Sequence, residues 1–320
     1  MPSAISAQVF DIERLRHTEC AYYQKLLPLG CLSQTRNEDY VMLQNVPVKR
    51  LEFDGFTVEG YSRAAVQTYW RIPELKLGFD LGAQPWDFMG TPTWFISHTH
   101  LDHIAALPQY ISRRRLMKMD PPTIYLPEHA VQPLQLMMRQ VSNLDRGRLP
   151  CTLIGVKPDE EYELSRELVV TTSRTKHTVP SLGYVVWERR KKLKAEYADL
   201  TGDQIRNLRQ SGTEVTRELR YPLVAYLGDS APQGLDDCPA MYEAKILITE
   251  MTFVASWHRP EKIHKNGHMH LDDYIERKDR FKNELIIAGH LSTRYSDRQA
   301  QDIVAAAFPD MLAGRLHLWV

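Results

Sequence analysis

Three short apolar runs, YPLVAYLGDS, AKILITEMTF and NELIIAGH, constrain the fold of this chain more than any other feature. Each is rich in β-branched and aliphatic residues, which suits a strand buried on both faces. Helical patterns separate them, at Leu271–Phe281 and after Ser296, and Ser296 is placed to cap the final helix. Strands alternating with helices predict an α/β layered fold. Upstream, FTVEGYSR and AAVQTYWRI read as a hairpin, LKLGFDLGAQP as a strand closing in a Gly turn, and TWFIS and PTIYLP as further strands. ELVVTTSRTKHT and SLGYVVWE read as a strand pair. A helical region begins near Ile104, where Pro108 is tolerable only in a first turn, and HAVQPLQLMMRQVSNL forms another. No repeat or low-complexity linker interrupts the pattern. The expected organisation is an N-terminal extension over 1–50, with helical spacing in IERLRHTECAYYQKLL, followed by one α/β domain over 51–320.

Charge narrows the partners. The chain balances 40 Lys and Arg against 40 Asp and Glu, so any nucleic-acid contact has to come from a local basic patch. Cys20, Cys31, Cys151 and Cys238 are scattered without zinc-ribbon spacing, as expected of reduced thiols in a cytoplasmic protein. The first residues lack the continuous apolar segment of a signal peptide. No apolar run approaches the ~20 residues that span a bilayer, so no membrane partner is expected.

Directly after TWFIS comes HTHLDH, with His98, His100, Asp102 and His103 within six positions. His98 and His100 are two apart at a strand end, so their side chains can point the same way. The cluster can feed two adjacent metals, the first through His98 and His100, the second through Asp102 and His103. Zinc takes about four ligands, so partners are needed elsewhere in the chain. His177, Asp229 and His290 each stand where an apolar strand run stops, the usual place for ligands in α/β folds. Singly, each has an ordinary structural explanation; in this order behind HTHLDH they are specific.

These motifs resemble the metallo-β-lactamase fold and, within it, ribonuclease Z, the tRNA 3′-processing endonuclease. The resemblance runs from about Val58 to the C-terminus. It rests on FDLG with Asp80, on HTHLDH, KHTVPSLGYVVWE and YLGDS, and on HLSTRY. PELKLGFDLG, KLKAEY, SGTEVT and GHMHLDD look most like the short form found in plants and some bacteria. The resemblance implies a four-layer αββα sandwich and two zinc ions per chain. His98, His100, His177 and Asp229 would hold one ion. Asp102, His103, Asp229 and His290 would hold the other, with Asp229 shared and Asp80 orienting a ligand histidine. A hydroxide shared by the two ions would attack the phosphodiester, and Asp102 would hold or receive its proton. Glu250 and His268 match the pair that protonates the leaving ribose oxygen. Thr249 departs from the His that many members carry before that Glu. Met269 and His270 replace a Ser-Thr, and Leu291 replaces a Phe.

The implied reaction leaves a tRNA 3′-hydroxyl and a 5′-phosphorylated trailer. Many members grip tRNA with a Gly- and Pro-rich arm between the third histidine and the bridging Asp. Here that interval, around 188–220, looks short but carries RRKKLK, basic in five of six positions: Arg189, Arg190, Lys191, Lys192 and Lys194. These five, with Arg294 of HLSTRY, are the expected substrate contacts. A second basic stretch, RRRLMK at Arg113–Lys118, is as well explained by a solvated helix face. The resemblance further implies a homodimer in which the arm of one subunit serves the site of the other. Two other functions fit the same motifs less well: a dizinc hydrolase of small phosphodiesters such as cyclic nucleotides, and a non-catalytic RNA-binding relative.

Overall fold

Strand pairing sets the architecture of this computed structural model, which describes residues 46–320. The helix expected in IERLRHTECAYYQKLL lies outside the described residues. One sheet runs, in spatial order, β1 (Lys49–Phe53), β2 (Phe56–Arg63), β3 (Gln67–Ile72), β4 (Leu77–Leu81), β5 (Thr93–Phe95), β6 (Thr123–Pro127) and β7 (Thr152–Val156). The other runs β8 (Glu161–Glu163), β9 (Leu168–Arg174), β10 (Leu182–Leu193), β11 (Thr216–Tyr226), β12 (Ile246–Glu250), β13 (Leu285–Gly289) and β14 (Leu316–Leu318). Each sheet begins with three antiparallel pairings, β1 to β4 and β8 to β11. Each ends with three parallel ones, β4 to β7 and β11 to β14. The two halves share one topology, a duplication that no sequence repeat discloses.

The sheets face each other across a core that includes Val58, Trp70, Phe79, Phe95, Tyr184, Val224, Ile246 and Ile248. The outer face of the first sheet packs Trp94, Ile96 and Ile124 against Leu107, Tyr110 and Leu134 of the helices Leu107–Leu116 and Glu128–Asp145. The outer face of the second packs Ala225, Leu247 and Ile286 against Tyr274 and Val304 of the helices Leu271–Glu276 and Asp297–Ala307. The layers are therefore helix, sheet, sheet, helix, as expected. Successive residues of one strand enter different cores: Ile246 and Ile248 one, Leu247 the other. That is why these runs are apolar without alternation.

Local signals hold where they are specific. Pro108 lies in the first turn of its helix. Ser296 accepts the Gln299 amide while the Gln299 side chain accepts the Ser296 amide, a capping box. The helix expected over Leu271–Phe281 stops at Glu276, where Arg277 leaves helical dihedral angles and its guanidinium binds Asp236.

The topology gathers the site. β9 and β11 run the same way, because two antiparallel pairings separate them, and β12 and β13 are parallel to β11. The C-terminal ends of all four share one edge, where His177, Asp229, Glu250 and His290 follow. From the other sheet, β4 and the parallel β5 deliver Asp80 and His98. A bridge between Arg63 and Leu291 ties the sheets together at this edge.

Candidate metal centre

Four histidines turn the same ring nitrogen inward, because a second contact occupies the other. His103 donates from Nδ1 to Asp80 at 2.7 Å. His98 Nδ1 lies 3.0 Å from Ser97 Oγ, whose hydroxyl donates to Asp80 at 2.8 Å. His177 donates from Nδ1 to the Gly267 carbonyl at 2.9 Å, and His290 Nδ1 lies 3.1 Å from Thr252 Oγ1. Each contact holds a ring orientation and leaves Nε2 free to ligate. Asp80 thus orients two histidines, one directly and one through Ser97. The Tyr226 hydroxyl and the Ser97 amide also donate to it, which satisfies a fully buried carboxylate. Asp80 and His290 both adopt positive φ, 55° and 58°, an uncommon conformation held here by the surrounding bonds. Two glycines permit the close packing. A Cβ on Gly82 would fall 1.7 Å from the Asp102 carbonyl oxygen, and one on Gly267 would fall 2.4 Å from His177 Cα.

The inward atoms form two groups. His98, His100, His177 and Asp229 offer ligand atoms within 4.8 Å of one another, as do Asp102, His103 and His290. His100 Nδ1 lies 3.1 Å from both His98 Nε2 and His177 Nε2. Three ring nitrogens converging with their lone pairs inward repel one another unless a cation sits among them, so this donor set fits a metal. Asp229 Oδ2 lies 3.8 and 3.9 Å from Nε2 of His98 and His177, and 3.4 and 3.3 Å from Nε2 of His103 and His290. One oxygen therefore stands between the groups. Burial would raise the Asp229 pKa, but the His290 and His103 charges hold it well below the usual carboxylate range. Burial raises and the His290 hydrogen bond lowers the pKa of Asp102, which settles at about 2.

Glu250 and His268 meet beside this cluster. His268 Nδ1 lies 3.1 Å from Glu250 Oε1. Glu250 also accepts the backbone amides of Ser230 and Met269, at 2.8 and 3.2 Å. Burial lowers the His268 pKa, but the Glu250 charge and hydrogen bond outweigh it and raise the group to about 9. Thr252, to which the sequence reading assigned no role, donates to Glu250 and lies 3.3 Å from His268 Nδ1, besides touching His290. It links the Glu250–His268 pair to His290. His270 is taken up elsewhere: its Nδ1 accepts the Asp272 amide at the start of a helix, and its Nε2 donates to the Ala255 carbonyl at 3.0 Å. An open cleft of about 320 Å³ is lined by His100, Asp102, Asp229, His268, His290 and Arg294.

Comparison with known proteins decides the family. The chain is 34% identical over 270 residues to tRNase Z TRZ1 of Arabidopsis thaliana, covering 84% of this chain and 96% of the relative. This chain belongs to the ribonuclease Z family. The nuclear ribonuclease Z of Triticum aestivum is 40% identical over 167 residues, 52% of this chain and 95% of that one. A metallo-β-lactamase fold protein from Bacillus subtilis, YhfI, superposes with a TM-score of 0.54 at 15% identity, over 81% of this chain and 92% of that one. That likeness shows the fold. No family model matches the chain. The cluster is a candidate metal site in this member of a family of hydrolases, and no described helix is long and apolar enough to cross a membrane.

The basic arm of this family member is a β-ribbon. β10 is buried at its first five positions and opens to solvent beyond a bulge at Val186/Trp187, where bulges sharpen twist. The ribbon carries a short helix, Gly202–Gln210. RRKKLK lies on a strand, so its side chains alternate between faces. The register sets Arg189 opposite Arg220 and Lys192 opposite Arg217, like-charge pairs that destabilise a ribbon. Carboxylates answer part of that charge: Glu163 pairs with Arg189, Glu188 with Arg190, and Glu161 and Glu218 with Arg220. None of the five arm residues lines the cleft, whereas Arg294 does. RRRLMK is not a solvated face throughout. Arg114 is buried and donates to the carbonyls of Asp120 and Met89, and Arg113 lies over the Trp86 ring. The flanking loops end in carbonyls that only an inward guanidinium reaches, a tertiary demand invisible in the run itself.

Proposed function

We propose that the protein is a zinc-dependent endoribonuclease that removes the 3′ trailer from precursor tRNA. The observation that carries this reading is the two converging ligand groups with the Glu250–His268 pair on the same cleft. Kinship with a relative named tRNase Z at 34% identity supports the substrate. His98, His100, His177 and Asp229 would hold one zinc ion, and Asp102, His103, Asp229 and His290 would hold the other. When bound, the ions polarise the phosphodiester and bring the pKa of water down to ~7. Asp102, ionised at neutral pH, accepts a proton or hydrogen bond from the attacking water. His268 donates from Nε2 to the departing ribose 3′-oxygen while Glu250 holds its Nδ1–H. The products are a tRNA 3′-hydroxyl and a 5′-phosphorylated trailer.

The arm supplies grip rather than chemistry. Arg189, Arg190, Lys191, Lys192 and Lys194 bind tRNA phosphates, and Arg294 binds the strand at the cleft. Membership of the family supports a homodimer in which these cations, which do not line the cleft of their own chain, serve the partner's site. The free thiols Cys151 and Cys238 suit a reducing cytoplasm. Incubating the zinc-loaded protein with end-labelled precursor tRNA, and separately with bis(p-nitrophenyl) phosphate, tests the reading. Trailer release with the stated end groups is expected. Turnover of the small ester without RNA cleavage would make the protein a small-phosphodiester hydrolase, and RNA binding without either reaction a non-catalytic relative.

A further inference from the structure

A second cavity, of about 490 Å³, adjoins the cleft. Phe253 and Arg294 line both spaces, and Trp257, His258, Arg259 and Lys262 line the second alone. Its size falls within the ~300–1,000 Å³ of small-ligand sites. Three flat rings gather there. The Phe253 and His258 centroids are 4.8 Å apart, and those of Trp257 and His258 are 5.8 Å apart at 41°. Trp257 is 73% exposed, so its indole is not held there by packing. Among the described residues, Arg259, Lys262 and Arg294 have no carboxylate partner. His258 Nε2 is buried without a hydrogen-bond partner, an atom that costs free energy until something fills it.

An exposed indole, cations without carboxylate partners and one unfilled hydrogen-bonding nitrogen complement a nucleotide in three ways. The base has a π-face to stack, the phosphate is an anion, and the base edge offers donors and acceptors. An acidic peptide would use the cations and leave the rings idle. Position selects which nucleotide. The Phe253 ring lies 6.4 Å from the His268 ring. The 3′-oxygen addressed by His268 belongs to the nucleotide on the 5′ side of the cut, so its own base is the one within reach of Phe253. We propose that this cavity holds the nucleobase on the 5′ side of the scissile phosphate, stacked on Trp257 and His258, with Arg294 on the adjoining backbone. The proposal rests on the ribonuclease reading above. It makes the cavity a filter, because a base enters only when unpaired and unstacked from a helix.

A cycle between Trp257→Ala and an abasic substrate tests this. kcat/KM is measured for the zinc-loaded full chain on precursor tRNA, and on the same RNA made abasic 5′ of the cut or at the first trailer position. Trp257→Ala lowers kcat/KM on intact RNA about 5- to 150-fold, the effect of losing one base-stacking ring. It has little further effect on RNA abasic 5′ of the cut, where the stacked partner is already gone. Trp257→Phe restores most of the loss, which a misfolded variant would not show. Independent, multiplying effects of protein and substrate changes overturn the subsite. Coupling at the first trailer position instead also overturns it, by moving the base to the other side of the cut. Failure of the unaltered protein to cleave any precursor overturns the ribonuclease reading itself, and the subsite with it.

Discussion

Replacing His268 with Ala removes the proposed acid and leaves both ligand groups chemically whole. Its Nδ1 is bound to Glu250 at 3.1 Å, and Glu250 is pinned by two backbone amides, so the imidazole is positioned in advance. A positioned general acid contributes about 10²–10⁴ in rate, or about 2.7–5.5 kcal/mol of barrier. Turnover of precursor tRNA, whose leaving group is an alkoxide, falls by that factor. Hydrolysis of a nitrophenyl phosphodiester, whose leaving group departs without a proton, falls far less. The rival role is that of a metal ligand, because His268, Asp229 and His290 also present atoms within 4.8 Å of one another. Elemental analysis separates the two: the variant keeps its full metal content if His268 is the acid. Equal loss on both substrates, or loss of metal, refutes the assignment. The pH profile supplies a further check. An acid works protonated, so kcat/KM falls as pH rises through its pKa. Burial lowers and Glu250 raises that pKa to about 9, and bound dications pull it down again, so the alkaline limb lies below 9. Glu250→Gln removes the raising charge and shifts the limb to lower pH; an unmoved limb belongs to another group.

Asp229→Ala removes the oxygen standing between both ligand groups, so zinc occupancy falls at both sites; loss of one ion alone argues against sharing. Thr252→Val removes the hydroxyl that touches Glu250, His268 and His290. Zinc affinity falls about 10–100-fold by equilibrium dialysis, the usual cost of losing a group that orients a ligand, and unchanged affinity denies Thr252 that part. Reversing the charge of Lys191, Lys192 and Lys194 weakens precursor tRNA binding and flattens its salt dependence, because fewer counterions are released. Arg189 and Arg190, already paired with Glu163 and Glu188, contribute less when changed alone. Binding that is unmoved at moderate salt places the RNA elsewhere.

The candidate ligands were legible because the signal that marks them is local. The runs before His98, His177, Asp229 and His290 stop close to a His or an Asp, and run and stop are both read within about ten residues. An α/β layered fold follows from runs too apolar for a one-sided sheet, the four-layer αββα order came only with the family resemblance, and the capping box at Ser296 needs only four residues. What those residues do together is not local. Asp80 receives Tyr226 from 146 positions away, and His177 is held by the carbonyl of Gly267, 90 positions on. Neither partner belongs to a residue type that marks a metal site, so no spacing rule finds them. The same holds for RRRLMK, whose Arg114 is drawn inward by loop carbonyls, and for RRKKLK, whose charge is partly answered across the ribbon. By itself the sequence determined which groups this protein can offer to a metal and to a phosphodiester. Tertiary structure decided which nitrogen of each histidine is offered, which carboxylate stands between two ligand groups, and which histidine is paired with Glu250. Those choices are made by hydrogen bonds between segments far apart in sequence, and only the packing of two sheets face to face, with these strand ends at one edge, brings them into contact.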